Sequence, residues 1–179
     1  MKTLLLCSGL LLGATTLLAQ QAAPKAPPKS PPATATASIG SANVTITYSS
    51  PRVRGREGKI YSSDGQISHD PHYPVWRAGA NSATTLETSG DLTIGDVSVP
   101  AGKYTLFVDI SDPKGWVLIV SKDTGEWGLS YDASKDLGRT KMTMAPPSSM
   151  VEDLKYTISD GKLSLVWENM GATVPIAAK

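Results

Sequence analysis

The chain has little of the chemistry that marks common enzymes. Its 179 residues include one cysteine, Cys7, two histidines, His69 and His72, and one phenylalanine, Phe107. Cys7 lies in an apolar run at the front, so the body of the chain has no cysteine. Disulfides, thiolate nucleophiles and cysteine-ligated metals are excluded there. With both histidines in one short stretch, a Ser–His–acid triad has to draw on that stretch, and no Gly-x-Ser-x-Gly elbow occurs. No glycine-rich phosphate loop or dinucleotide fingerprint is present, and no cofactor is expected. Charge of one sign is lacking too. Lysine plus arginine number 17 against 16 aspartate plus glutamate, and the counts are equal without Lys2. A neutral chain has no overall field to gather nucleic acid or an anionic membrane. No nucleic-acid partner is expected, and any electrostatic function has to come from local clustering.

The front of the chain reads as a leader. Lys2 supplies the positive end, an apolar stretch runs from Leu4 to Leu18, and Ala19 suits cleavage, with Ala22 or Ala23 as alternatives. The run is short for a membrane-spanning helix, which needs about 20 apolar residues. Leu6 precedes Cys7 and the apolar stretch continues past it, so Cys7 belongs to the leader and is not a lipidation site. Residues 1–19 are therefore expected to be a signal peptide, the mature chain to lack a transmembrane segment, and the protein to be periplasmic or secreted. Residues 20–32, rich in proline and alanine, are expected to be an extended linker. A proline-motif ligand for a partner is the alternative.

Residues 33–179 are expected to form one all-β domain. The apolar period is two in Val44–Tyr48, Tyr104–Ile110, Leu154–Ile158 and Leu163–Trp167, the pattern of strands with one buried face. Phe107 falls on the polar side of its run. Trp116–Val120 is apolar on both faces and is expected in the middle of a sheet. Gly95-Asp96, Asp112-Pro113-Lys114-Gly115 and Ser159-Asp160-Gly161 read as hairpin turns. The spacing predicts roughly nine or ten short strands in an antiparallel β-sandwich or barrel-like jelly roll. Ser130–Leu137 is expected to form a helical turn or two. Long loops are expected at 51–74 and 122–138, where function concentrates in compact domains.

Several motifs resemble a bacterial secreted family, the domain of unknown function 2911. They are Tyr48-Ser49-Ser50-Pro51-Arg52-Val53-Arg54-Gly55-Arg56, Val75-Trp76-Arg77-Ala78-Gly79-Ala80-Asn81 with Ala83-Thr84-Thr85 behind it, Pro100–Phe107, Gly125-Glu126-Trp127-Gly128, and Tyr131-Asp132. They follow the family's order over most of the chain after the linker. The resemblance implies an exported single-domain protein and brings no catalytic residues with it. Ser63–Tyr73, with both histidines, reads as length beyond the family pattern.

Candidate site residues follow from chemistry. Arg52, Arg54 and Arg56 alternate and on a strand would share a face, offering planar donor forks that match carboxylate or phosphate oxygens. Arg77 and Asn81 add a second wall, and Trp76, Trp127 and Tyr131 offer flat faces to a ring. The structural alternative is ion pairing within the domain for the arginines and core packing for the aromatics; Trp116 and Trp167 are assigned to the core. His69 and His72 with Asp70 have metal-ligand types, against the alternative of incidental loop histidines. Asp123, Glu126, Asp132 and Asp136 resemble a calcium loop in composition but not in spacing.

The expected function is a binding module for a small polar, anionic or carbohydrate-like ligand, using Arg52, Arg54, Arg56, Trp76, Arg77, Asn81, Trp127 and Tyr131. The alternatives are a metal-assisted cell-envelope hydrolase using His69 and His72, and a structural or assembly partner. No catalytic set is assigned, and the sequence does not set an oligomeric state.

Overall fold

The computed structural model describes residues 28–125 and 127–179. The expected leader, Cys7, most of the linker and Glu126 lie outside the described residues. Thirteen strands are present among the described residues, and the longest helical pieces are single 3-10 turns. The first sheet takes β1 (Pro32–Ile39), β2 (Ala42–Ser49), β3 (Val75–Trp76), β4 (Thr84–Thr88), β7 (Gly102–Asp109), β8 (Val117–Ser121) and β9 (Asp136–Lys141). Its order is β1-β2-β4-β7-β8-β9, with β3 also paired to β7. The second takes β5 (Leu92–Ile94), β6 (Val97–Val99), β10 (Thr143–Met144), β11 (Val151–Ser159), β12 (Lys162–Glu168) and β13 (Met170–Ala178). Its order is β11-β12-β13-β5-β6, with β10 paired to β13. Every pairing is antiparallel. The sheets face each other without closing into a barrel, so the sandwich expectation holds.

The period-two residues build the core. Val44, Ile46, Leu86, Leu106 and Leu118 come from one sheet and Ile94, Leu163, Leu165 and Val174 from the other, all buried. β8 lies between β7 and β9, as its two-sided apolar sequence predicts. The excess of strands over the expected nine or ten has a simple cause. β3 and β10 are two residues long, too short to show a period, and β9 starts inside the expected 122–138 loop. Ser130–Leu137 yields a single 3-10 turn, Ala133–Lys135, because Asp136 and Leu137 join β9, where Asp136 pairs with Ser121 of β8 and Leu137 sits at a bulge. Phe107 also finds its explanation. Residues 127–135 fold over the outer face of the first sheet, and the Tyr131 ring meets Phe107 at 4.8 Å. Phe107 and its partner Ile119 are buried outside the main core.

The Gly95 turn links the sheets. Gly95 has φ +59°, and a β-carbon there would collide with the Thr140 side chain of β9. Gly95→Ala is expected to lose about 2 kcal/mol, from left-handed strain and overpacking. An unchanged urea midpoint for that variant would show that the turn and Thr140 can separate freely.

Candidate cationic cavity

The site begins where a strand is interrupted. β3 and β4 lie end to end along one edge of β7: Trp76 pairs with Val108 and Thr84 with Leu106. Residues 77–83 leave the sheet between those pairs. The excursion needs two left-handed residues, Ala78 (φ +51°) and Asn81 (φ +58°). It is anchored at the buried Ala78 carbonyl, which accepts from the hydroxyls of Thr84 (3.2 Å) and Tyr156 (3.0 Å). The Ala80 N–H donates to the Ser49 carbonyl at 3.1 Å. Gly79 is required for that approach, since a β-carbon would meet the Thr84 hydroxyl at 2.8 Å and the Ser49 carbonyl at 3.3 Å.

The arginine run forms the opposite wall, though not as a strand. Arg52 makes a lone antiparallel bridge to Asp153 of β11, and the chain then turns through Arg54 (φ +53°) and Gly55 (φ +69°). The three side chains are gathered by this turn, which corrects the expectation that alternation on a strand would align them. Acids at the ends of β11 and β12 hold the turn in place. Glu152 accepts from the Arg54 N–H at 3.0 Å, Asp153 from the Arg52 Nε at 2.7 Å, and buried Glu168 from the Gly58 N–H. Glu168 is left-handed as well (φ +56°). Of the five non-glycine residues with positive φ among the described residues, only Asp160 lies in a remote hairpin; the other four belong to the walls or their supports. Strained backbone of this kind gathers at functional sites.

The two walls enclose a cavity of about 540 Å³, within the usual range of about 300–1,000 Å³ for small-molecule sites. Arg52, Arg54, Arg56, Arg77, Trp76 and Asn81 all line it, so six of the eight sequence-derived candidates converge. Lys29 and Ser30 line it too, so the end of the expected linker packs with the domain. Among the described residues, the lining thus holds four arginines and Lys29, with Asp70 as its only carboxylate. Trp76 and Trp167 give it an apolar base; their rings stack 6.0 Å apart and both also belong to the core.

The arginines divide by what their donors already do. Arg77 is locked: Nε and Nη2 reach Asp70 at 3.3 and 2.9 Å, and Nη1 reaches the Asn81 carbonyl at 3.2 Å. Arg56 is spent on the carbonyls of Val53 and Arg52 and on Gln66. Arg52 commits only Nε, and Arg54 only a 3.3 Å bond to the Lys29 carbonyl, among the described residues. Free forks therefore come from Arg52 and Arg54, while Arg56 and Arg77 shape the walls and add charge.

Two candidates lie elsewhere. Trp127 and Tyr131 do not line the cavity, because their loop covers the outside of the first sheet. Trp127 pairs through its backbone with Ser82, and its side chain is exposed. The Tyr131 hydroxyl donates to Asp136 at 3.0 Å and accepts from Arg139. Burial, the bond to Asp136 and that carboxylate's charge push the Tyr131 phenol up to about 12, against the opposing pull of Arg139. Burial also raises the phenols of Tyr61 and Tyr156. Folding thus holds on to phenolic protons that the unfolded chain gives up near pH 10, so stability is expected to fall as pH rises from about 10 toward 12. Tyr131→Phe is expected to flatten that slope, measured as urea midpoint against pH. An identical slope in the variant would remove Tyr131 from the account.

The histidines also part company. His69 lines the cavity, its Nδ1 2.8 Å from the Gly65 carbonyl, and His72 packs edge-on against Tyr131. Among the described residues, no three His, Cys, Asp or Glu side chains are grouped to hold a metal ion. Sequence reasoning missed Glu152, Asp153, Glu168 and Gln66. The three acids come from distant chain segments, Gln66 lies ten residues from Arg56, and no local pattern marks any of them as supports.

A family model described as a protein of unknown function, DUF2911, matches residues 30–176. The chain belongs to this family. The match starts at Ser30, itself a lining residue, and spans both walls of the cavity. No curated protein and no solved structure matches the chain.

Proposed function

We propose that this DUF2911 protein is an exported binding module, periplasmic or secreted, that captures a small anionic ligand in the cationic cavity. The carrying observation is the lining, with four arginines, Lys29 and one carboxylate among the described residues around about 540 Å³. Guanidinium forks suit carboxylate and phosphate oxygens, and charge-assisted bonds of that kind are the strong ones. Arg52 and Arg54 make the direct contacts. Arg77 and Arg56 hold the walls apart and bias the potential. Trp76 and Trp167 provide a surface for an apolar part of the ligand. Asn81, at the rim, offers both a donor and an acceptor for orientation.

The direct test is a thermal-shift and calorimetric panel at low ionic strength, with phosphate, citrate and galacturonate set against neutral glucose. Ligands that bind the folded state raise its melting temperature by mass action. At least one anion is expected to do so, with the gain fading as salt is added. A panel in which no anion binds better than glucose would sink the proposal.

A further inference from the structure

Trp127 has no role in the core and none in the cavity lining, yet its backbone is tethered to the domain. Its side chain is 58% exposed, whereas Trp76, Trp116 and Trp167 are buried. Its backbone bridges Ser82, and its carbonyl accepts from the Ser130 N–H at 2.9 Å. The next residue, Gly128, is seated so closely that a β-carbon would collide with the Asn81 carbonyl and the Arg77 side chain. The loop bearing the indole is therefore docked on the same Arg77–Asn81 segment whose side chains line the cavity. An exposed aromatic held in place beside a cationic pocket pairs a flat apolar face with oxyanion-binding forks.

We propose that the cavity and Trp127 form one extended site for an anionic polysaccharide, a chain of pyranose rings bearing carboxylates. A charged sugar occupies the cavity, and a neighbouring ring packs on Trp127. This rests on the anion-binding function proposed above and names its ligand class. A sugar ring has an apolar face that suits indole and hydroxyls that suit Asn81, while its carboxylate suits Arg52 and Arg54. Single-stranded nucleic acid also combines charge with flat rings, but it needs a long basic track and successive stacking platforms. Here five of the 17 lysines and arginines line one pocket of a chain with nearly balanced charge, and only one tryptophan is exposed.

The experiment is calorimetric titration of the protein with galacturonic acid, its hexamer, neutral maltohexaose and oligothymidylate. The hexamer is expected to bind roughly tenfold more tightly than the monomer, the worth of one aromatic contact. Trp127→Ala is expected to remove that gain and leave the monomer unchanged, since the indole is exposed and the fold does not depend on it. Arg52→Ala/Arg54→Ala is expected to weaken both. If the hexamer gains nothing, or if Trp127→Ala has no effect on it, the extended site is overturned while the anion pocket stands. Equal binding of maltohexaose, or tighter binding of oligothymidylate, overturns the ligand class. If neither acid binds, both the extended site and the pocket fall. Sedimentation of wild type and Trp127→Ala covers self-association; a dimer lost with the indole would assign Trp127 to a contact between copies and overturn the proposal.

Discussion

Exchanging Arg52 and Arg54 together for alanine is expected to abolish anion capture and leave the fold intact. These two guanidinium groups keep uncommitted donors at the cavity, so they are the ones able to transfer hydrogen bonds to a ligand. Hydrogen bonds to charged groups contribute about 1.5–3 kcal/mol each, so losing two weakens binding by roughly 100-fold or more. The cost to the fold is small. The Arg52–Asp153 pair is exposed on both sides, at 43% and 52%, and such pairs stabilise by about 0–1 kcal/mol. The structural contacts of this segment come mainly from its backbone, through the Arg54 N–H to Glu152 and the Val53 N–H to the Glu152 carbonyl, and alanine keeps both. The check is calorimetry with an anion that binds wild type, beside the melting temperatures of both proteins. Retained affinity in a folded variant would show that the free forks are not the contacts.

Arg77→Ala should behave differently, losing the fold's stability before any question of ligand. Its pair with Asp70 is largely buried, with side-chain exposures of 15% and 5%. Removing one partner of such a pair strands a buried charge and costs about 3 kcal/mol or more. For a domain of this size that lowers the melting temperature by roughly 6–12 °C. The Asn81 carbonyl loses its donor in the same step, so the wall that seats the Trp127 loop loosens. Replacing both partners, Arg77→Met with Asp70→Leu, is expected to recover much of the stability, because no buried charge is left unpaired. A single variant that melts with wild type would contradict the burial argument. The contrast between this variant and the Arg52/Arg54 pair separates cations that build the cavity from cations that serve it.

Much of the core was legible in residue order. Val44, Ile46 and Tyr48, or Leu163, Leu165 and Trp167, alternate because a strand with one buried face has a period of two, and nothing distant is needed to see it. The same rule had no account of Phe107, since its burial depends on Tyr131 arriving from a loop about twenty residues later in the chain. The candidate site was partly legible. Arg52, Arg54, Arg56, Trp76, Arg77 and Asn81 stood out as functional groups richer than a fold needs, and they share one cavity. What their order could not reveal was which of them are free. Asp70, Gln66, Glu152 and Asp153 decide that, the last two across about a hundred residues of sequence.

By itself, then, the sequence determined the fold class, the hairpin turns, the family and the short list of side chains able to meet an anion. These follow from local periodicity, turn chemistry and residue type. Only the tertiary structure decided how those side chains divide. It bent the arginine run through left-handed Arg54 and Gly55 instead of leaving it a strand. It pushed residues 77–83 out of the sheet between β3 and β4 to face that run, and it placed Trp127 on the outside of the same segment. The physical reason is that a cavity is made where segments from different sheets meet. The Arg77–Asn81 wall connects β3 and β4 of the first sheet, and the arginine turn is held by acids at the ends of β11 and β12 in the second.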